Sequence, residues 1–223
     1  MQLLGDPNQC WYLTAAASRT AVALGYHTLR LDTMTAEEQE EIGTIVAWCC
    51  HLDKSISMLL CRTPSLPRLS IAPSKMITLD PTNHMSTFVS IMIDMAPVSE
   101  EILELALPQQ AGKQQTATAN LPLQIRCLQD KMRCIYKRMT EARPAASPTA
   151  DLNTTIHWYF LDFKYFSTLT SIHRLSPTAA SNPSEREECL SCARKALQAV
   201  NDAQRLGYRH GYFNENYNPF VSW

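Results

Sequence analysis

Few residues in this chain have both the type and the spacing to do chemistry. Cys189-Leu190-Ser191-Cys192 is a C-x-x-C, half of a zinc site or a redox pair. Zinc takes four ligands, so it needs a second such pair or two histidines. Cys49 and Cys50 are adjacent and point to different helix faces, and no thioredoxin-like βαβ pattern surrounds Cys189. The pair is therefore expected to pack as two small apolar residues. The histidines at 27, 51, 84, 157, 173 and 210 stand singly, none paired at i, i+4 with another ligand type in a metal motif, and are assigned structural or surface roles. No G-x-S-x-G, phosphate-cradling glycine loop or dinucleotide fingerprint occurs. No catalytic, cofactor or metal-ligating residue is expected.

Two kinds of charge remain. Arg126, Arg133 and Lys137 form a stripe that in principle tracks phosphates. Asp130 interrupts it, and 20 basic against 21 acidic residues give a net charge of −1, so a solvated face is expected. Asp53 and Arg62 sit at either end of an otherwise apolar helical run, nine residues apart. That offset leaves them about half a turn out of phase, so each needs a partner from elsewhere. Arg19 on the preceding helix is the expected partner of Asp53, as a buried pair that fixes helix register. Arg62 is expected to satisfy terminal carbonyls and complement the helix dipole.

The elements that would position these residues are helical. Asn8 to Leu24 carries Leu13, Ala16, Ala17, Thr20 and Leu24 at helical spacing, with Gly25 as a left-handed cap. Thr35 and Glu38 form a capping box ahead of a stripe of Ile42, Ile45, Cys49, Leu52, Ile56 and Leu59. Pro64, Pro67, Pro73 and Pro81 enforce an extended loop. A helix on Met85, Phe88, Val89 and Met92 is expected to break before Pro97, with a shorter one from about Ser99 to Leu107. A polar, flexible linker is expected near 108–120. Leu121 to Ala142 is amphipathic, and Leu152 to Leu175 is apolar nearly all round, as suits the centre of a bundle. A second capping box at Ser184 and Glu187 opens a helix to about Leu206, and an aromatic end follows.

No period-2 strand, internal repeat, signal peptide or membrane-length apolar run is present in the sequence. Hydrophobic content of 45% can fill a core. Eight cysteines without a disulfide-framework spacing point to a reducing compartment. The expected fold is all-α, a single bundle of about seven helices with proline-rich loops, over 1–223 as one domain. A cavity beside the aromatic helix would be lined by His157, Tyr159, Phe163 and His173.

Two segments resemble a known family. "ASRTAVALGYH" (17–27) is similar to the A-x-R-x-A-x-x-L-G-[LY]-H segment of fungal transcription factors that carry a two-zinc, six-cysteine DNA-binding cluster. "LDKSISMLLCRTPSL" (52–66) resembles their L-D-R-x-x-S-x-x-x-G-R-P-P-x-[IL] segment, at the usual separation within the middle homology, or regulatory, domain. "YFSTLTSIHR" (165–174) and "CLSCARKAL" (189–197) are similar to two later helices of that domain. Arg19, Leu24, Gly25 and His27 match the first motif. Asp53, Ser57, Arg62 and Pro64 match the second, and Arg174 the third. Lys54 stands for the usual arginine, Cys61 for a glycine and Thr63 for a proline.

In the family these positions are architectural. The resemblance implies a nuclear regulatory module of a fungal transcription factor that senses an effector and binds protein partners. It also implies control of a metabolic or secondary-metabolite gene set. A homodimer or a regulatory protein partner, and a small-molecule effector, are the expected partners. Zinc belongs only to the family's N-terminal cluster, which this sequence lacks, so the chain reads as an excised or shortened regulatory domain that does not itself bind DNA. The alternative expectation is a stand-alone helical enzyme or accessory protein of a biosynthetic pathway on the same scaffold.

Overall fold

The computed structural model of the chain describes residues 6–28, 34–80, 84–110, 120–143 and 152–209. The expected linker at 108–120 lies largely outside them, and so does the aromatic end from His210. The described residues are all-α: α1 (Pro7–Ala23), α2 (Ala36–Leu60), α3 (His84–Gln110), α4 (Leu121–Ala142), α5 (Leu152–Arg174) and α6 (Pro183–Arg209). Short 3-10 turns stand at Tyr26–Thr28 and Pro73–Met76. The helices cluster in two compact units, with the boundary in α3 between Leu103 and Glu104.

In the first unit, local chemistry fixes the helix ends. Asp6 caps α1 by accepting from the Asn8 and Gln9 N–H groups, and Pro7 sits at the first position, where no N–H is needed. Gly25 follows α1 at φ +76°, left-handed as its type allows. The Thr35–Glu38 capping box forms, with both reciprocal bonds present. α2 ends differently from its start: Cys61 takes the left-handed conformation (φ 51°, ψ 47°) at the position where the family pattern has glycine.

The buried faces of α1 and α2 differ from the ones that apolar spacing suggests. On α1, Leu13, Ala16, Ala17, Thr20 and Leu24 are exposed, while Thr14, Ala15, Ser18 and Ala21 are buried where α1 packs on α2. Small side chains let two helices approach closely, and that outweighs the loss of Leu13 from the core. On α2 the expected stripe is met only in part: Ile56 is buried, Ile42, Cys49 and Leu52 are half-buried, Ile45 and Leu59 are exposed, and the buried face also carries Val46, Ala47, Cys50, Asp53, Lys54 and Ser57. Cys50 joins Leu66 and Ala96 in a core cluster that Val22 and Leu69 flank. Burial pushes the Cys50 thiol up to about 12, leaving it protonated and apolar in character.

Pro97 does not break α3, so six helices stand among the described residues where the sequence suggests about seven. Proline removes one i−4 hydrogen bond, but Ile93, Met95, Ala96, Val98 and Ser99 around it are all buried. Packing on both sides holds the helix through the defect. Ser99, the expected start of a separate helix, sits mid-helix and bonds back to the Met95 carbonyl (3.2 Å).

In the second unit, α5 packs against both α4 and α6. α4 buries Leu121, Ile125, Leu128, Met132, Ile135 and Met139 as its period requires. Arg126, Arg133 and Lys137 are exposed on the opposite face, where Arg133 pairs with Asp130 and Lys137 lies 3.8 Å from Glu141. Tyr136 of α4 stacks near Tyr165 (5.0 Å between centroids) and Phe166 (6.4 Å) of α5. The cap of α6 lies two residues before the expected one. Asn182 accepts from the Ser184 N–H, Pro183 takes the first helical position, and Asn182 bonds Glu185. Glu187, the expected capping-box partner of Ser184, pairs with Arg194 (2.6 Å) instead.

Two substitutions test these local assignments. Left-handed backbone costs a non-glycine residue about 1–2 kcal/mol, and glycine's extra unfolded-state entropy takes back part of that. Cys61→Gly is therefore expected to raise stability by roughly 0.5–1 kcal/mol in urea denaturation, and no gain would place the residue outside that conformation. At Gly43 a Cβ would run into the Met76 carbonyl oxygen of the 73–76 turn. Backbone must shift to accommodate it, so Gly43→Ala is expected to cost about 1–3 kcal/mol. A neutral result would separate that turn from α2.

Candidate functional site

The strongest concentration of buried polar chemistry lies in the first unit, around the second family-like motif. Asp53 is 0% exposed. Its Oδ1 accepts from the Ser65 N–H (3.0 Å) and its Oδ2 from the Leu66 N–H (2.8 Å). The carboxylate thus holds the start of the proline-rich loop against the helix that carries it. Lys54 is also 0% exposed. Its Nζ donates to the Leu66 carbonyl, pairs with Glu100 Oε1 of α3 at 2.8 Å and lies 3.8 Å from Asp53 Oδ2. Glu100 Oε2 is 3.7 Å from Arg68 Nε. Two carboxylates, one ammonium and both backbone groups of Leu66 therefore satisfy one another inside a core.

Buried charge is expensive to desolvate and survives only where pairing and hydrogen bonds are complete. Adjacent positions on a helix do not face each other. Here the length of the lysine side chain brings its ammonium back within reach of the neighbouring carboxylate. The arrangement orders backbone and joins α2, the loop and α3, as a strut between elements does.

The expected Asp53–Arg19 pair does not form: Arg19 is exposed on α1 and the Asp53 oxygens are taken by the loop. The reason is distance along the chain. The loop that leaves α2 folds back at once and offers two backbone N–H groups only 12 and 13 residues away. Arg62 does cross to α1, but through side chains. Its Nη2 donates to Asn8 Oδ1 (2.9 Å) and its guanidinium stands 4.6 Å from the centre of the Trp11 ring. Ser57 is fully buried with no partner for its hydroxyl among the described residues. Pro64 is half-buried in the loop, and His27 is half-buried in the 3-10 turn after Gly25. Arg174 is exposed in the last turn of α5, where a positive charge complements the helix dipole. Lys54 and Glu100 are the residues that motif reading missed as a pair. The signal was a lysine directly after the motif aspartate on a face that packing, and not hydropathy, selects.

The second unit carries a groove of about 200 Å³ along α5 and α6. Tyr159, Asp162 and Phe166 line it from α5, and Lys195, Gln198, Ala199 and Asp202 from α6. Of the expected cavity residues, Tyr159 is in it and His157, Phe163 and His173 are not. The groove follows the i, i+3, i+7 row of 159, 162 and 166; by helical phase His157 lies on the far face of α5, Phe163 borders that row, and His173 continues it two turns beyond Phe166, past the lining residues. Asp162 pairs with Arg143 (2.6 Å), which also lies 5.5 Å from the Trp158 ring centre. Burial raises the Asp162 carboxyl, and the Arg143 bond opposes that rise. Lys195 stands 5.3 Å from the centre of the Phe166 ring.

The C-x-x-C is a packing element. Cys189 Sγ approaches the Thr170 carbonyl of α5 at 3.8 Å, and burial raises the Cys192 thiol. Among the described residues no group of three His, Cys, Asp or Glu side chains could hold a metal ion. No helix among them is long and apolar enough to cross a membrane.

Asp53→Asn tests whether the carboxylate is the strut. The amide presents one acceptor and one donor, so one loop N–H would face an NH₂ group and Lys54 would lose a counter-charge. Removing one member of a buried pair costs about 3–5 kcal/mol, and that loss is the expected result in urea denaturation, with Asp53→Ala no milder. A loss under about 1 kcal/mol would assign the cluster a surface-like role.

Comparison with protein-family models, curated proteins and solved structures finds no match to this chain.

Proposed function

We propose that the chain is a regulatory module of a fungal transcription factor. In this reading it is a nuclear, non-enzymatic helical body that restrains activation and answers an effector or a protein partner, with a metabolic or secondary-metabolite gene set under its control. The observation that carries the reading is the role of Asp53. The residue that anchors the second family-like motif spends both carboxylate oxygens on backbone N–H groups inside a core. That use is architectural, as the resemblance implies, and leaves the carboxylate no lone task as a general acid or base. Gly25 at positive φ and Arg62 bridging to α1 give two further motif positions a structural duty.

A body of this kind regulates by having two packings of unequal affinity for an effector. The latch formed by Asp53, Lys54 and Glu100 suits that task because it adds a few strong polar contacts to the apolar cluster that joins α2, the loop and α3. A homodimer or a partner protein would bias the same equilibrium.

The test is a reporter assay in a fungal host. The chain is inserted between a heterologous DNA-binding domain and an activation domain, and output is compared with that of the fusion lacking it. Lowered output that Asp53→Asn restores is the expected result. Unchanged output, or sequence-selective retardation of duplex DNA by the purified chain alone, would overturn the reading.

A further inference from the structure

The groove on α5 and α6 has an electrostatic layout that selects a ligand class. Its floor is Ala199, a buried residue whose short side chain leaves the space between the helices unfilled. Tyr159 and Phe166 are its apolar walls. Asp162 is already matched by Arg143 at 2.6 Å, so its charge is spent within the protein. The charges left for a ligand are Lys195, which faces the Phe166 ring, and Asp202, which Gln198 steadies through a 2.8 Å bond to Oδ1. Lys195 and Asp202 are seven residues apart on α6, the same face two turns along, or about 10 Å.

A positive and a negative group at the two ends of an aromatic-walled trough complement a molecule of the reverse polarity. Its carboxylate meets Lys195, its ammonium meets Asp202, and its apolar body lies over Ala199 between the two rings. The volume lies below the roughly 300 Å³ at which drug-sized pockets begin, and the separation of the two charges excludes a single α-amino acid, so the occupant is of dipeptide size.

We infer that the α5/α6 groove is a binding site for a short zwitterion whose two charges stand at opposite ends of its length, as in a dipeptide with an apolar or aromatic side chain. As the identity of an effector, this rests on the regulatory reading above; as a binding site, it stands on the groove alone.

The probe is the dipeptide phenylalanylglycine, titrated into the isotope-labelled full chain by NMR, beside its N-acetyl and C-terminal amide forms. Saturable shifts centred on Tyr159, Phe166 and Ala199 are expected, with each blocked form at least about tenfold weaker, since a hydrogen bond to a charged group is worth about 1.5–3 kcal/mol. Lys195→Gln should abolish the penalty for amidation and leave that for acetylation. Asp202→Asn should do the opposite. Lys195 is exposed and Asp202 half-buried at the groove, and neither belongs to the buried core, so the variants are expected to keep the fold, which circular dichroism checks. Equal binding of all three forms, shifts centred elsewhere, or no saturable shift up to about 10 mM would overturn the site. A chain that binds the dipeptide while the reporter assay stays flat keeps the site and loses the regulatory reading.

Discussion

The first unit depends on a lysine ammonium taken wholly out of water. Lys54 is tolerable in the core only because Glu100, Asp53 and the Leu66 carbonyl surround it, and each of those groups is itself satisfied in part by the others. The loop after α2 must therefore turn back at Ser65 and Leu66, since its backbone supplies donors to Asp53 and an acceptor to Lys54. Glu100 must face α2, which sets the rotation of α3 in this unit. Leu66 is then drawn into the cluster with Cys50 and Ala96. Hydrophobic burial follows where the charges have already placed the chain.

That constraint also accounts for the strained end of α2. Cys61 adopts a left-handed conformation because the loop has to leave the helix sharply enough to bring Ser65 back to Asp53. The Arg62 N–H then reaches the Ser57 carbonyl at 2.8 Å, closing the helix end. Its guanidinium is released toward Asn8 and Trp11 of α1. One turn of backbone thus serves the interior through Asp53 and the neighbouring helix through Arg62. The second unit is held by other means. α5 packs against α4 and α6, and Arg143 adds an ion pair to Asp162 of α5.

Much of this was open to reading from the residues alone, for identifiable reasons. Helix ends carry short-range chemistry, so the Thr35–Glu38 box and the turn at Gly25 were legible. α4 was legible because its apolar period is strong and only one face is buried. Pro97 was misleading because a local penalty of about 3 kcal/mol is smaller than the packing on both sides of it. The α6 cap was misread because Pro183 moves the start of the helix back to Asn182, while the Ser184 pattern looks equally good in isolation. The groove was half legible: an aromatic α5 pointed to it and to Tyr159. Which histidines it excludes depends on where α6 lies.

The sequence by itself determined the all-helical class, the Thr35–Glu38 cap and the turn at Gly25, and the positions of Asp53 and Arg62 as charges in need of partners, since these follow from interactions within a few residues. Only the tertiary structure decided which face of α1 and α2 is buried, that Asp53 holds its own loop and not Arg19, and that Lys54 meets Glu100. Those outcomes turn on the close approach of distant elements. A charge costs or stabilises according to whether that approach brings it a partner, and the order of residues along the chain does not contain that distance.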